Sequence, residues 1–155
     1  MRIDAIYSSP LERATETAEP LASERGLPVQ TRPRLIEIGF GEWNGRQIAS
    51  LEDDPLWVRF NTFRSSTRPP GGELMSEVQT RLADEMEELR HFHPDGSIAL
   101  FSHADVIKCA VTLYSGIPID LMHRLEISPA SITVLTLSHW GPQLLTVNDT
   151  SGSGH

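Results

Sequence analysis

The sequence holds one cysteine, Cys109, in 155 residues. A single thiol excludes an intramolecular disulfide framework and any zinc site built on two or four cysteines. Long apolar runs are also missing: no stretch approaches the ~20 residues of a membrane span. Met1-Arg2-Ile3-Asp4 opens no signal peptide. The expectation is a cytoplasmic protein with no membrane partner. Positive charge is in deficit, with 13 Lys+Arg against 21 Asp+Glu and a formal net charge of −8. Generic nucleic-acid binding, which relies on cations to neutralise phosphates, is therefore not expected. A small anionic ligand stays compatible, because a few arginines focused in a cleft outweigh the net charge. Internal repeats, coiled-coil heptads and a second domain are absent. The length suits one domain over residues 1–150, followed by a flexible Gly/Ser tail at 151–155.

What is present alternates strand and helix, the pattern of a three-layer α/β sandwich around a mostly parallel central sheet. Ile3 to Tyr7 reads as a short strand running into Ser8-Ser9-Pro10. Ser9 fits an N-cap, with Pro10 at the first helical position and Glu12 closing a capping box. Leu11, Ala14, Ala18, Leu21 and Ala22 follow at helical spacing; Pro20 should bend or shorten that helix, and Gly26 should end it. Arg34 to Ile38 reads as a second strand. Residues 44–73 are irregular, with short helices around 47–52 and 56–63. Leu74, Met75, Val78, Leu82, Met86 and Leu89 form a helical stripe. A strand at 97–101, a helix from about 105 to 115 stopped by Gly116, and an antiparallel pair at 132–137 and 143–147 complete the reading.

Chemistry concentrates at two strand-to-helix junctions, around Arg13 and around His103. Ligands of open α/β sheets bind outside the carboxyl ends of strands, where helix N-termini offer free N–H groups. Arg13 sits in the first turns of its helix, where the dipole disfavours a cation. Either it serves a bound anion bidentately, or it pairs on the surface with Glu12 or Glu16. His103 follows a buried strand and suits anion donation or proton transfer; a satisfied strand-end histidine is the other reading. No second histidine lies at metal-ligand spacing near it, so metal binding ranks behind both readings; no cofactor is expected. Glu37 precedes Gly39-Phe40-Gly41-Glu42-Trp43, surroundings that raise a carboxyl pKa and suit a general acid; a solvated strand-end carboxylate is the alternative. Arg90-His91-Phe92-His93 ends an amphipathic helix and reads as a structural complement to its dipole.

Four segments in order carry a resemblance. Ser8-Ser9-Pro10-Leu11-Glu12-Arg13-Ala14, Leu35-Ile36-Glu37 through Gly45, Pro70-Gly71-Gly72-Glu73 and Ser102-His103-Ala104-Asp105-Val106-Ile107 resemble the histidine phosphatase superfamily, the phosphoglycerate mutase-like proteins. The closing Leu145 to Thr150 is similar to the family's last strand. The resemblance implies metal-independent phosphoryl chemistry through a phosphohistidine, on a small phosphorylated substrate. It implies that Arg13 and His103 bind phosphate, that His103 and Glu37 are catalytic, with Glu37 protonating the leaving alcohol, and that Glu73 belongs to a substrate loop. A homo-oligomer is compatible with it. Ala104 stands where the family has glycine, and Leu74 where it has serine.

The family also begins with a strand ending in Arg-His-Gly, which carries the nucleophilic histidine, and this sequence contains no Arg-His-Gly. The expectation is a domain lacking its first strand and helix, part of a βαβ unit of roughly 30 or more residues. That strand lies centrally in the family, so its loss predicts unpaired edges on the strands at 97–101 and 132–137. It also predicts an inactive or impaired chain. Three readings stay open: a phosphatase without its N-terminal segment, a non-catalytic pseudophosphatase that binds a phosphorylated ligand, and a chain whose partner supplies the strand. Hydrolysis is favoured over a phosphoglycerate mutase-type transfer because no segment specifies recapture of the phosphoryl group.

Overall fold

A computed structural model describes residues 2–151; the rest of the expected tail, from 152 onward, lies outside the described residues. Strand β1 (Ala5–Ser8) is buried along its whole length because it is paired on both edges. It runs parallel to β2 (Val29–Thr31) on one side and to β3 (Ile98–Phe101) on the other. Between β1 and β2 lies helix α1 (Glu12–Arg25), which passes through Pro20 and ends at Gly26. Gly26 adopts φ 65°, and its N–H satisfies the Ala22 carbonyl.

Alternation along the strands sorts side chains to two faces. Ile6 packs with Ala18 and Ala22 of α1, while Ala5 and Tyr7 point to the opposite core. Opposite α1 lie α3 (Met75–Phe92) and α4 (Ala104–Ser115), which bring Val78, Leu82, Leu89, Val106 and Cys109 onto that face. The result is helix, parallel sheet, helix: the expected three layers. Each fully buried Leu or Val of this core contributes about 1.5–3 kcal/mol.

The second strand differs from the sequence expectation. It occupies 29–31, and Pro33–Leu35 forms a 3₁₀ turn instead of strand. Pro33 has no N–H for a ladder and its fixed φ favours the first position of a turn. A shorter helix, α2 (Pro55–Thr62), starts on Asp54, whose carboxylate accepts the Leu56 N–H at 2.9 Å. β4 (Ile132–Ser138) and β5 (Gly141–Asp149) form the expected antiparallel ribbon, as a separate two-stranded sheet. Among the described residues β3 pairs only with β1, and β4 only with β5. No helix among these residues is long and apolar enough to cross a membrane.

Candidate active site

The carboxyl ends of β1 and β3 stay joined one step past the strands, where Ser9 N–H donates to the Phe101 carbonyl at 2.8 Å. That bond sets Ser9 beside His103, the N-cap residue of α4. Ser9 Oγ and His103 Nε2 are hydrogen-bonded at 2.8 Å, and both residues are buried. The expected capping box at Ser9 is corrected here. α1 starts at Glu12, because Leu11 is still extended (φ −72°, ψ 134°). Ser9 Oγ accepts only a long bond from the Leu11 N–H, at 3.3 Å, and turns its hydroxyl to the imidazole.

Burial pushes the His103 pKa down to about 4, and the charges of Arg13 and Arg81 push the same way. The ring is therefore neutral at pH 7. Glu37 Oε2 lies 3.9 Å from His103 Nδ1, a contact too long for a hydrogen bond. Burial raises the Glu37 carboxyl above its ordinary value, and the Asp105 charge adds to it; the Ile38 N–H bond and the Arg13 and Arg81 charges oppose the rise. A carboxyl inclined to keep its proton thus faces an imidazole inclined to stay neutral. Such a pair suits proton transfer to a leaving group better than it suits a structural ion pair.

Glycines build the loop that carries Glu37. Gly41 has φ 57°, and a Cβ there would lie 2.1 Å from the Pro70 carbonyl oxygen. A Cβ on Gly72 would lie 2.4 Å from the Gly39 carbonyl oxygen. The two loops consequently zip together by backbone bonds, Glu42 N–H to Pro70 at 2.8 Å and Glu73 N–H to Gly39 at 2.7 Å. Glu73 spends its carboxylate on this joint, accepting from Gly39 N–H at 3.1 Å and from Arg81 Nε at 2.8 Å.

Arg13 lies in the first turn of α1 and is exposed. Among the described residues its guanidinium makes no close ion pair, with neither Glu12 nor Glu16. Its charge reaches both Glu37 and His103. The irregular stretch at 44–73 is largely exposed, but it turns a few side chains inward, Leu51, Phe60, Arg64 and Thr67 among them. Trp57 and Phe60 join Trp43 in an edge-on aromatic cluster. Arg64, 4% exposed, stacks over Phe60 and pairs with Asp105 of α4 at 3.0 Å. Arg68 forks onto Glu77. Phe63 and Arg59 are left toward solvent.

His93 caps α3 and is hydrogen-bonded to the Tyr7 hydroxyl at 2.9 Å, away from the His103 pair. Sequence reasoning missed two residues near the site, Arg81 and Asp105. Both are charged positions on amphipathic helices, where local pairing is the default explanation. Among the described residues no three His, Cys, Asp or Glu side chains gather as a metal site.

Comparison with known proteins agrees with this geometry. The model of the histidine phosphatase superfamily, branch 1, matches residues 1–150. The structure superposes on the YhfR protein of Bacillus stearothermophilus with a TM-score of 0.91 at 25% identity, covering 97% of this chain and 76% of that one. A phosphoserine phosphatase mutant of Entamoeba histolytica, solved with phosphoserine, gives a TM-score of 0.85 at 26% identity, with 96% and 75% covered. By sequence the chain is 31% identical over 133 residues to a bifunctional protein of Mycobacterium tuberculosis. That match takes in 85% of this chain but 36% of the relative, so the chain spans about a third of that protein's length. Phosphoserine phosphatase 1 of Hydrogenobacter thermophilus is 27% identical, covering 98% of this chain and 73% of its own length. With the fold, the ordered motifs and the family model in agreement, the chain belongs to the histidine phosphatase superfamily.

Proposed function

We propose that the chain carries the phosphate-binding and proton-donating part of a phosphomonoester hydrolase acting on small phosphorylated molecules in the cytoplasm. The observation that carries this reading is the convergence of three groups: an unpaired Arg13, a neutral buried His103 and a Glu37 whose burial favours its proton. Arg13 would hold two phosphoryl oxygens bidentately, and the N-terminus of α4 adds its partial positive charge. His103 would donate Nε2–H to a third oxygen in exchange for Ser9. Glu37 would give its proton to the leaving alcohol, and its carboxylate then takes one from the attacking water. The names of the relatives, phosphatases of phosphoserine and of α-ribazole among them, support a small monoester as substrate class.

In this mechanism the phosphoryl group passes to a histidine of an Arg-His-Gly segment. This sequence contains no such segment, so the 155-residue chain by itself is read as a binder with little or no turnover. Thermal denaturation with millimolar orthovanadate tests the binding part. A raised Tm in the unaltered chain, lost in Arg13→Ala, is the expected result. No shift with vanadate or phosphate would overturn the phosphate reading. Hydrolysis of p-nitrophenyl phosphate that His103→Ala abolishes, with no phosphohistidine formed, would overturn the inactivity.

A further inference from the structure

Arg81 lies on the second turn of α3, outside the four motifs, yet its guanidinium is the most heavily used group near Glu37. Nε donates to Glu73 Oε1 at 2.8 Å, and one terminal nitrogen reaches Glu73 Oε2 at 3.2 Å. The same nitrogen donates to the Ile36 carbonyl at 2.8 Å and reaches the Glu37 carbonyl at 3.4 Å, while the other donates to the Arg34 carbonyl. Glu73 in turn accepts the Gly39 N–H at 3.1 Å. The fork therefore closes a ring around residues 34–39, with Glu37 at its centre.

The Glu37 side chain has one hydrogen bond of its own, from the Ile38 N–H to Oε1 at 2.9 Å, which leaves Oε2 toward His103. That short bond survives only while the backbone at 36–38 keeps its course. We propose that Arg81 is the positioning residue of the site: its planar fork fixes the backbone at 34–37 against Glu73 and so aims the Glu37 carboxyl at the His103 side. A lysine at 81 would keep the charge but could not span several acceptors at once, because an ammonium has no rigid fork. The charged groups facing Glu37 are Arg13 from α1, Arg81 from α3 and Asp105 from α4, and the titratable but neutral His103 ring faces it from the N-cap of α4. The inference rests on the proposed role of Glu37 as proton donor, but its test does not.

The test is a pH titration by NMR of the full chain, following the Ile38 amide and the Glu37 carboxyl carbon. In the unaltered chain the Ile38 amide shifts with the Glu37 titration. Arg81→Lys is expected to abolish that coupled shift while amides in β1 and α1 keep their positions. A coupled Ile38 shift with an unchanged Glu37 midpoint in Arg81→Lys would overturn the proposal, even if the variant melts earlier. Should Arg81→Lys fail to fold, Glu73→Gln removes one side of the fork and is expected to weaken the coupling; an unaltered coupling there overturns it equally. Vanadate binding to the unaltered chain is read in parallel: its absence there, beside a coupling that Arg81→Lys abolishes, refutes the phosphatase reading and leaves the positioning role standing.

Discussion

Ser9 and His103 stand 94 positions apart in the chain and share a 2.8 Å hydrogen bond in a buried setting. The serine follows directly on β1, and the histidine caps the helix that follows the neighbouring strand β3. Replacing Ser9 with alanine leaves a buried ring nitrogen without this partner. The expected cost is about 1–3 kcal/mol, read from urea denaturation at pH 7.

Acid titration of stability separates His103 from Glu37. His103 has a folded pKa of about 4, below its unfolded 6.5, so the unfolded chain binds its proton first. Its contribution is complete above pH 6.5 and is lost as the pH falls toward 4, at up to about 1 kcal/mol per pH unit. Glu37 has the opposite sign. Its folded pKa is raised above 4.5, so its contribution is complete below that value and is lost as the pH climbs through the folded pKa. The two partly cancel. Denaturation from pH 7.5 down to 4.5 should give a flatter acid limb in His103→Gln and a steeper one in Glu37→Gln; parallel curves would refute the assignment.

The zipped loops predict a sharp contrast between two glycines. Gly41→Ala places a Cβ 2.1 Å from a backbone oxygen at φ 57° and should cost upward of 2 kcal/mol. Gly45→Ala, at φ 74° with nothing within 4 Å, meets only the left-handed penalty of about 1 kcal/mol. Paired thermal melts check the difference, and equal losses would remove the close approach as the cause.

Arg64→Met strands Asp105 beside the His103 junction. The loss should reach about 2–3 kcal/mol, below a fully buried pair because Asp105 is 18% exposed. A double-mutant cycle with Asp105→Asn should recover a large part of it; additive losses would show that the ion pair is not the link.

Cys109 is fully buried, and burial pushes its thiol up to about 12. It should resist a thiol-reactive disulfide reagent in the folded chain and react stoichiometrically in denaturant. Fast labelling of the native chain would contradict the packing of α4.

Long-period patterns were legible in the sequence, and local detours were not. The stripe from Met75 to Leu89 became the buried face of α3 because eighteen residues supply enough turns to fix one face. The β4–β5 pair and the stop at Gly116 were legible for similar reasons. Residues 34–38 read as strand on their apolar content, yet a 3₁₀ turn at Pro33–Leu35 and irregular chain at 36–38 take their place, and the strand lies upstream at 29–31. Motif order marked Arg13, Glu37 and His103. It could not reveal Arg81, whose helix also carries Glu77, Asp84 and Glu85, any of which offers a cation a nearby partner. Its actual partners come from two loops lying N-terminal to it, a tertiary fact with no local signal.

The parallel ladder between β1 and β3 sets a clock on assembly. Ala5 pairs with Ile98, so the first strand leaves the ribosome long before its neighbour exists. At ~5–20 residues per second the intervening chain takes roughly 5–20 s to synthesise. Throughout that interval Arg13 has emerged and His103 has not. Arg13 and His103 meet only once residue 103 has been made, so a product that stops before β3 holds the β1–β2 pair but not the ladder that brings these two residues together.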